Sequence, residues 1–166
     1  MGPLIICSKG IKADSDFKHT IIFFGEVDET QSWYFRKNVE QQYGRNSDLD
    51  LDDPDLVNNN RIQVINGVSD GKLPEIQLEP AKSQFIHFFN IGFRFQSIHL
   101  PGVIFPKTSN HFVGRDTIGL HPGTSYSLKI TPKSVGKWRL VGYGINKHWN
   151  KMAAFIHVPS STGGAS

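Results

Sequence analysis

The 166-residue chain is long enough to bury one hydrophobic core and too short for two comfortable domains. Hydrophobic residues make up 38% and aromatic residues 11%, with sixteen glycines and nine prolines, which favours short strands joined by turns over helices. We therefore predict one all-β domain over residues 1–158. Residues 159–166 are rich in Ser and Gly, which is typical of a flexible tail.

The formal net charge of +3 is unevenly distributed along the chain. Residues 1–80 contain eight Lys or Arg against fourteen Asp or Glu, whereas residues 81–166 contain ten against one. One interpretation is that the basic half binds an acidic polysaccharide, a membrane surface or an acidic protein. The alternative is that two sheets of one sandwich carry complementary charge. Nucleic acid is not an expected partner, because no recognised binding module is present and the acidic half would repel phosphate.

Targeting signals and disulfides are not evident in the sequence. Cys7 is the single cysteine, so it cannot form an intramolecular disulfide, and buried packing or an intermolecular bridge are its alternatives. The apolar residues 4–7 are too few for a signal peptide, and no segment has the length of a transmembrane helix. The start of the chain is read either as a cytosolic start or as a piece of a longer precursor.

Strand patterns recur along the sequence. Residues 19–27 (HTIIFFGEV) are typical of a central strand, and the nearly continuous apolar run of residues 84–92 is typical of a strand covered on both faces. Asn66-Gly67 predicts a turn. Residues 3–7 are read as a short buried strand or an introductory segment. Further strands are predicted at residues 61–66, 75–79, 97–100, 116–120, 124–130, 137–143 and 152–158, a spacing expected of a Greek-key sandwich.

One short helix is predicted within residues 32–43, where apolar residues recur at helical spacing. Residues 44–60 lack a sustained period and are interpreted as a long surface loop. Five carboxylates there begin like an EF-hand calcium loop, but the glycine at the sixth position and the glutamate at the twelfth are missing, which favours a solvated loop. These carboxylates are Asp48, Asp50, Asp52, Asp53 and Asp55.

Ordered landmarks then point to a known family. They are Gly2-Pro3-Leu4, Val27-Asp28-Glu29 with Ser32-Trp33-Tyr34, Asn60-Arg61 before Ile65-Asn66-Gly67, Asn90-Ile91-Gly92, Ser97-Ile98-His99 with Gly102, Asp116-Thr117-Ile118 before Pro122, and Gly136-Lys137-Trp138-Arg139-Leu140 ahead of Met152. Over about 150 residues, their order resembles the second cupredoxin half of an A domain from the ceruloplasmin, hephaestin and coagulation factor V and VIII family. The resemblance implies a cupredoxin-like antiparallel Greek-key β-sandwich with one short helix.

The resemblance also implies where a type 1 copper would bind. Its two histidines, its cysteine and its axial methionine match Gln96 and Lys147, Gly142, and Met152, respectively. A thiolate is the indispensable ligand of such a site. We therefore expect no copper and no other cofactor.

The trinuclear copper cluster of the family is expected to be missing as well. Its His-x-His-Gly pattern is matched by His99-Leu100-Pro101-Gly102, and its His-Cys-His pattern by Val141-Gly142-Tyr143. One histidine in four cannot hold three coppers. Oxidase and ferroxidase activity are therefore not carried over from the family.

The sequence contains two other kinds of candidate site. His99 and His148 are candidate ligands for Zn or Cu, and His87 and His99 fall on neighbouring predicted strands, but individually satisfied histidines are favoured because no pair has ligand spacing. Basic residues with an interleaved Trp form a candidate anion- or partner-binding patch, with scattered surface lysines as the alternative. The patch residues are Lys137, Arg139, Lys147, Trp149 and Lys151.

The sequence thus predicts a copper-free, non-catalytic, extracellular module that acts through protein or polyanion contacts. A sister cupredoxin domain or a second copy of the chain is a further possible partner. Two alternatives stay open. The chain can be a scaffolding fragment of a larger ferroxidase-type multicopper oxidase, or a module that binds Cu or Zn through surface histidines.

Overall fold

The computed structural model describes residues 4–6, 17–45, 49–105, 115–144 and 152–160, together with the backbone of residues 112–113. In this part of the chain, two β-sheets enclose one core. Two short α-helices follow the first strand and precede the second in the sequence. The helices are α1 (Phe35–Tyr43) and α2 (Pro54–Asn59). The strands are β1 (Lys18–Asp28), β2 (Arg61–Ile65), β3 (Ile76–Gln77), β4 (Gln84–Asn90), β5 (Gln96–His99), β6 (Phe112–Val113), β7 (Thr117–Leu120), β8 (Ser125–Ile130), β9 (Gly136–Gly144) and β10 (Ala153–Val158).

The strands are divided between a four-stranded and a six-stranded sheet. Their orders are β2-β1-β4-β8 and β3-β10-β9-β5-β7-β6. The all-β cupredoxin-like sandwich is confirmed. Among the described strands, the pairs β1–β4 and β3–β10 are parallel and the others antiparallel, so the sheets are not antiparallel throughout. The long connections between β1 and β4 and between β3 and β10 make this parallel pairing possible.

The core is formed by the alternate side chains that each strand turns toward the opposite sheet. Ile22 and Phe24 of β1 are fully buried, as are Ile98 of β5 and Leu140 of β9. Phe88 of β4 lies beside Phe24, with ring centroids 6.4 Å apart. Burial of these aliphatic and aromatic side chains is the main source of the sandwich's stability.

The predicted strands are observed, with their ends shifted by one or a few residues. The turn at Asn66-Gly67 is confirmed: both residues have positive φ, 50° and 80°, and Ile65 bridges to Val68. The two-residue strand β6 was not predicted. Residues 4–6 form no regular structure, and Leu4 and Ile6 are 83% and 86% exposed, so a buried strand is wrong for these residues.

The second helix, α2, lies in the segment predicted as a loop. Asp53 caps it by accepting a hydrogen bond from the amide of Asp55 at 2.7 Å, and Pro54 occupies its first turn. Both residues favour a helix start. One of the acidic residues of the candidate calcium loop therefore has a structural role, and the described residues form two short α-helices instead of the one predicted.

Candidate metal centre

The copper positions implied by the resemblance lie at one end of the sandwich. Gln96 begins β5, Gly142 lies near the end of β9, and Met152 immediately precedes β10. The amide of Gly142 donates to the carbonyl oxygen of Met152 at 2.9 Å, and Gly142 pairs with Ile98, two residues beyond Gln96. Lys147 lies outside the described residues. We call this region, around Phe24, Gln96, Gly142 and Met152, the closed end.

Phe24 from the opposite sheet occupies the space in front of Gly142. A Cβ atom built at Gly142 would lie 2.9 Å from both Cδ1 and Cε1 of the Phe24 ring, and 3.4 Å from Cβ of Met152. Contacts under 3 Å are strongly repulsive between carbon atoms, so a side chain at this position would force the buried ring to move. Gly142 therefore allows the closed end to be filled by hydrocarbon.

Gln96 is the polar exception within the closed end. Its side chain is fully buried, and neither amide atom has a hydrogen-bond partner in the described part of the chain. Gln63 of β2 reaches the same place: a Cβ at Gly144 would lie 2.8 Å from Nε2 of Gln63 and 3.6 Å from both amide atoms of Gln96. A buried amide without partners is costly, so Gln96 is a local weak point of the core.

The donors at the closed end do not fit a type 1 copper. Gln96 supplies an uncharged amide, Gly142 supplies no side-chain atom, and Met152 supplies only a thioether. Such a copper site requires a thiolate and imidazoles. The ring of Phe24 also occupies the place that a thiolate at position 142 would need. No step of a reaction can be derived through copper at this position.

The histidine candidates are separated by the fold. His87 is in the four-stranded sheet and His99 in the six-stranded sheet, so the prediction that they lie on neighbouring strands is wrong. His99 Nδ1 contacts Thr117 Oγ1 at 3.2 Å and lies 3.6 Å from Asp116 Oδ1. His148 lies outside the described residues. Within the described ranges, no three His, Cys, Asp or Glu residues are grouped as a metal site would require.

A different histidine pair was missed by the sequence analysis. His19 Nδ1 and His87 Nε2 are 2.8 Å apart across the parallel β1–β4 pair, and their rings are within 6° of parallel. His87 Nδ1 contacts Ser127 Oγ at 2.7 Å. Burial and, secondarily, the charge of His19 lower the pKa of His87 below its ordinary value of 6.5. Only the parallel pairing of β1 and β4 could have indicated this contact.

The described part of the predicted basic patch is partly neutralised. Lys137 and Arg139 both point away from the core on β9, as alternation predicts. Lys137 forms an ion pair with Glu75, which also lies 3.5 Å from His157. The hydrogen bond from Lys137 lowers the pKa of Glu75. An acid of the first half thus faces a base of the second, but the pair lies on the six-stranded sheet and does not join two sheets of complementary charge. Lys147, Trp149 and Lys151 lie outside the described residues.

Acidic residues take part in a second charged cluster that the sequence did not reveal. Glu26 is almost fully buried between two guanidinium groups, with Nε of Arg61 and of Arg94 at 4.0 Å and 3.9 Å. Arg61 also donates to Asp28 at 3.0 Å. The hydrogen bond from Thr30, with help from Arg61, lowers the pKa of Asp28. The cluster holds the ends of β1 and β2 together and is balanced in charge.

Acidic side chains at the start of α2 and just before it accept hydrogen bonds from nearby backbone amides. Asp50 accepts a hydrogen bond from the amide of Asp52 at 3.0 Å, as Asp53 does from Asp55. These contacts are typical of turns and helix caps. Asp48 lies outside the described residues.

Comparisons with known proteins were made at the levels of sequence and fold. The chain is 31% identical over 149 residues to coagulation factor VIII of Sus scrofa, a match that covers 84% of the chain and 7% of that protein. It is 28% identical over 151 residues to the ferroxidase HEPHL1 of Mus musculus, covering 84% and 12%. It is 27% identical over 162 residues to human ceruloplasmin, covering 95% and 15%. The chain thus spans a small part of these curated relatives. No protein-family model matches it.

Solved structures share the fold. A blue copper oxidase from Nitrosomonas europaea superposes with a TM-score of 0.59 at 14% identity, covering 95% of this chain and 49% of the other. The multicopper oxidase Fet3p gives a TM-score of 0.55 at 11% identity, covering 98% and 31%. At these identities, the similarity shows the cupredoxin fold alone. Among the described residues, no helix is long and apolar enough to cross a membrane.

Proposed function

Because the chain belongs to the family of ceruloplasmin, hephaestin-like ferroxidases and coagulation factor VIII, we propose that it is a cupredoxin unit that has lost its copper site and acts as a non-catalytic binding or structural module. The unit works outside the cell, as the family resemblance implies. Its surface binds proteins or polyanions, and it carries no redox centre of its own.

The packing of Phe24 against Gly142 is the observation that supports this proposal most directly. A site that merely lacked its thiolate would leave a polar hollow between the sheets. Here a fully buried aromatic ring takes that volume, with Cδ1 and Cε1 at 2.9 Å from where a Cβ of residue 142 would stand. This packing at position 142 supports the proposal that the frame is kept without the metal.

Exposed aromatic side chains near the end of β1 supply a surface for protein contacts. Trp33 is 99% exposed, Phe93 78% and Tyr34 67%. Phe93 and Gln31 line one depression, and Gln31 and Trp33 line the neighbouring one, so these groups share one end of the domain. Exposed aromatic groups of this kind mark interaction sites. A sister cupredoxin domain or a second copy of the chain is the partner we propose for them.

Copper loading tests the loss of the metal site. The protein is incubated with copper, dialysed and analysed for bound metal and for the intense visible absorption of a copper–thiolate bond. We expect neither stoichiometric copper nor the absorption band. Stoichiometric copper with a strong blue colour would overturn the proposal. Colourless stoichiometric metal would instead favour the histidine-site alternative.

A rebuilt site provides the matched comparison. The variant Gln96→His, Gly142→Cys, Lys147→His should stay colourless, because the Phe24 ring still occupies the ligand space. Adding Phe24→Val should create the absorption band. A blue triple variant with Phe24 intact would show that the ring does not close the site.

The polyanion component is tested on immobilised heparin. We expect weak retention that falls steeply with salt, because exposed charges are screened within about 10 Å at 0.1 M. Arg139→Ala should weaken retention more than Lys72→Ala, an equal charge change elsewhere on the surface. Absence of retention at low salt would remove polyanions from the proposed partners.

A second candidate function is suggested by the short span of the matches. The chain covers 7–15% of its three relatives, which supports a scaffolding unit within a larger multicopper oxidase whose other domains carry copper. Copper and oxidase assays on the longest natural chain that contains this unit would separate the candidates. Copper and oxidase activity in that longer chain would favour scaffolding, and absence of copper throughout would favour the copper-free module.

A further inference from the structure

A cavity opens between the sheets at the opposite end of β9 from Gly142. Its volume is about 510 Å³, within the range of small-molecule sites. Its floor is formed by five side chains from the inner faces of the sheets, Leu78, Leu100, Leu128, Ile156 and Val158. Each of them is only 2–3% exposed. These side chains belong to the hydrophobic core, so the cavity lies directly over it. We call this region the open end.

One wall of the cavity is the ring of Trp138, which lies close to two glycines. A Cβ at Gly102 would lie 3.3 Å from Trp138 Nε1, and one at Gly136 would lie 3.6 Å from Cη2. Both glycines have positive φ, 80° and 144°, which L side chains rarely adopt. Larger residues at either position are therefore disfavoured on two grounds. The ring is held in place as a flat apolar surface.

The rim of the cavity adds a single type of charge. Lys133 borders the opening and forms no ion pair with any described residue, whereas Lys129 is directed elsewhere, with its Nζ 4.6 Å from the centroid of the Phe17 ring. No Asp or Glu is among the described residues that line the cavity. Ile104 on the rim is 69% exposed. An apolar interior with a cationic rim is complementary to an amphipathic anion.

We propose that the open end binds a small aliphatic carboxylate, with its chain lying over the core against Trp138 and its carboxylate at Lys133. The interior supplies apolar contact along the chain, and Lys133 supplies a charge-assisted hydrogen bond at the mouth. This binding is separate from the proposed role of the domain as a copper-free module, because it uses the other end of the sandwich.

Calorimetric titration with hexanoate, octanoate and decanoate tests the proposal on the whole chain. Each added methylene should raise affinity about fourfold until the cavity is full. Trp138 emission should change in parallel, and Trp138→Phe should abolish that change. Affinity that is independent of chain length, or no binding of any of the three acids, would overturn the proposal.

Two variants locate the ligand. Lys133→Ala should weaken octanoate binding severalfold and leave binding of neutral octanol unchanged, whereas Lys72→Ala, a lysine outside the cavity, should change neither. Val103→Phe should fill the cavity and reduce binding of both ligands, with its melting temperature showing that it is folded. If Lys133→Ala leaves octanoate affinity unchanged, or if a folded Val103→Phe variant binds as well as the native chain, the assignment is wrong.

Discussion

The two ends of strand β9 differ in whether side chains fill the space beside the strand. At the closed end, Gly142 has no side chain and a ring from the opposite sheet fills the space before it. At the open end, Trp138 of the same strand lies against two glycines and leaves a cavity of about 510 Å³ beside it. Glycine is used at both ends to make room for an aromatic ring, yet one end is filled and the other is not.

The difference shows that one sandwich can be filled at one end and open at the other. The strands and their register are the same at both ends, so the outcome depends on which side chain crosses from the opposite sheet. Phe24 crosses at the closed end, whereas the side chains at the open end leave a cavity beside Trp138. The interior is close-packed only where side chains from the two sheets reach each other.

Phe24→Ala should break this comparison most strongly, because it would give the closed end a cavity of its own. We expect a loss of about 3–5 kcal/mol in the free energy of unfolding, as for other buried aromatic truncations. Val103→Ala at the open end should cost only about 1 kcal/mol, because its two half-buried methyl groups already border empty space. Chemical denaturation measures both, and equal losses would contradict the distinction between the ends.

Gln96→Leu should sharpen the comparison by removing the polar exception at the closed end. Gln96 is buried with both amide atoms unpaired, so the substitution should raise the free energy of unfolding by about 1 kcal/mol.

Gln84→Leu is the matched control, because Gln84 is equally buried but bonded to Glu79 through both amide atoms. It should lower stability by about 1–3 kcal/mol. Denaturant midpoints that move in the same direction for the two variants would show that hydrogen bonding does not distinguish the two glutamines.

The smallest expected effect comes from His87, which lies on the outer face of the four-stranded sheet and not in the interior between the sheets. The pKa of His87 is lowered in the folded state, so the unfolded chain binds more protons between that pKa and 6.5. The contribution of His87 to the free energy of unfolding is fully present above pH 6.5. It is lost as the pH falls from 6.5 toward the folded pKa. His87→Gln should flatten this decline in melting temperature. An unchanged slope in the His87 variant would exclude this group as its source.

Much of the fold follows from local patterns that need no partner. Alternating and continuous apolar runs located the strands, and Asn66-Gly67 located a turn that the structure confirms. The α2 helix was missed because its cap, Asp53, and its first residue, Pro54, stand in a segment without apolar periodicity. The side-by-side position of His19 and His87 was also missed, since parallel pairing joins residues 68 apart in sequence.

The candidate sites were only partly predictable. Gln96, Gly142 and Met152 were singled out by resemblance, and the structure places them at one end of the sandwich. The pairing of Lys137 with Glu75 could not be read from the sequence, because it joins two segments whose contact depends on β3 lying beside β10.

The sequence by itself determined which residue types stand at each strand position, and therefore which metal donors the chain can offer at positions 96, 142 and 152. Only the tertiary structure decided what occupies the space beside them. Phe24 and Gly142 are 118 residues apart, and nothing local to either specifies their contact. Packing between sheets is non-local, so it is the folded sandwich that fills one end and leaves the other open.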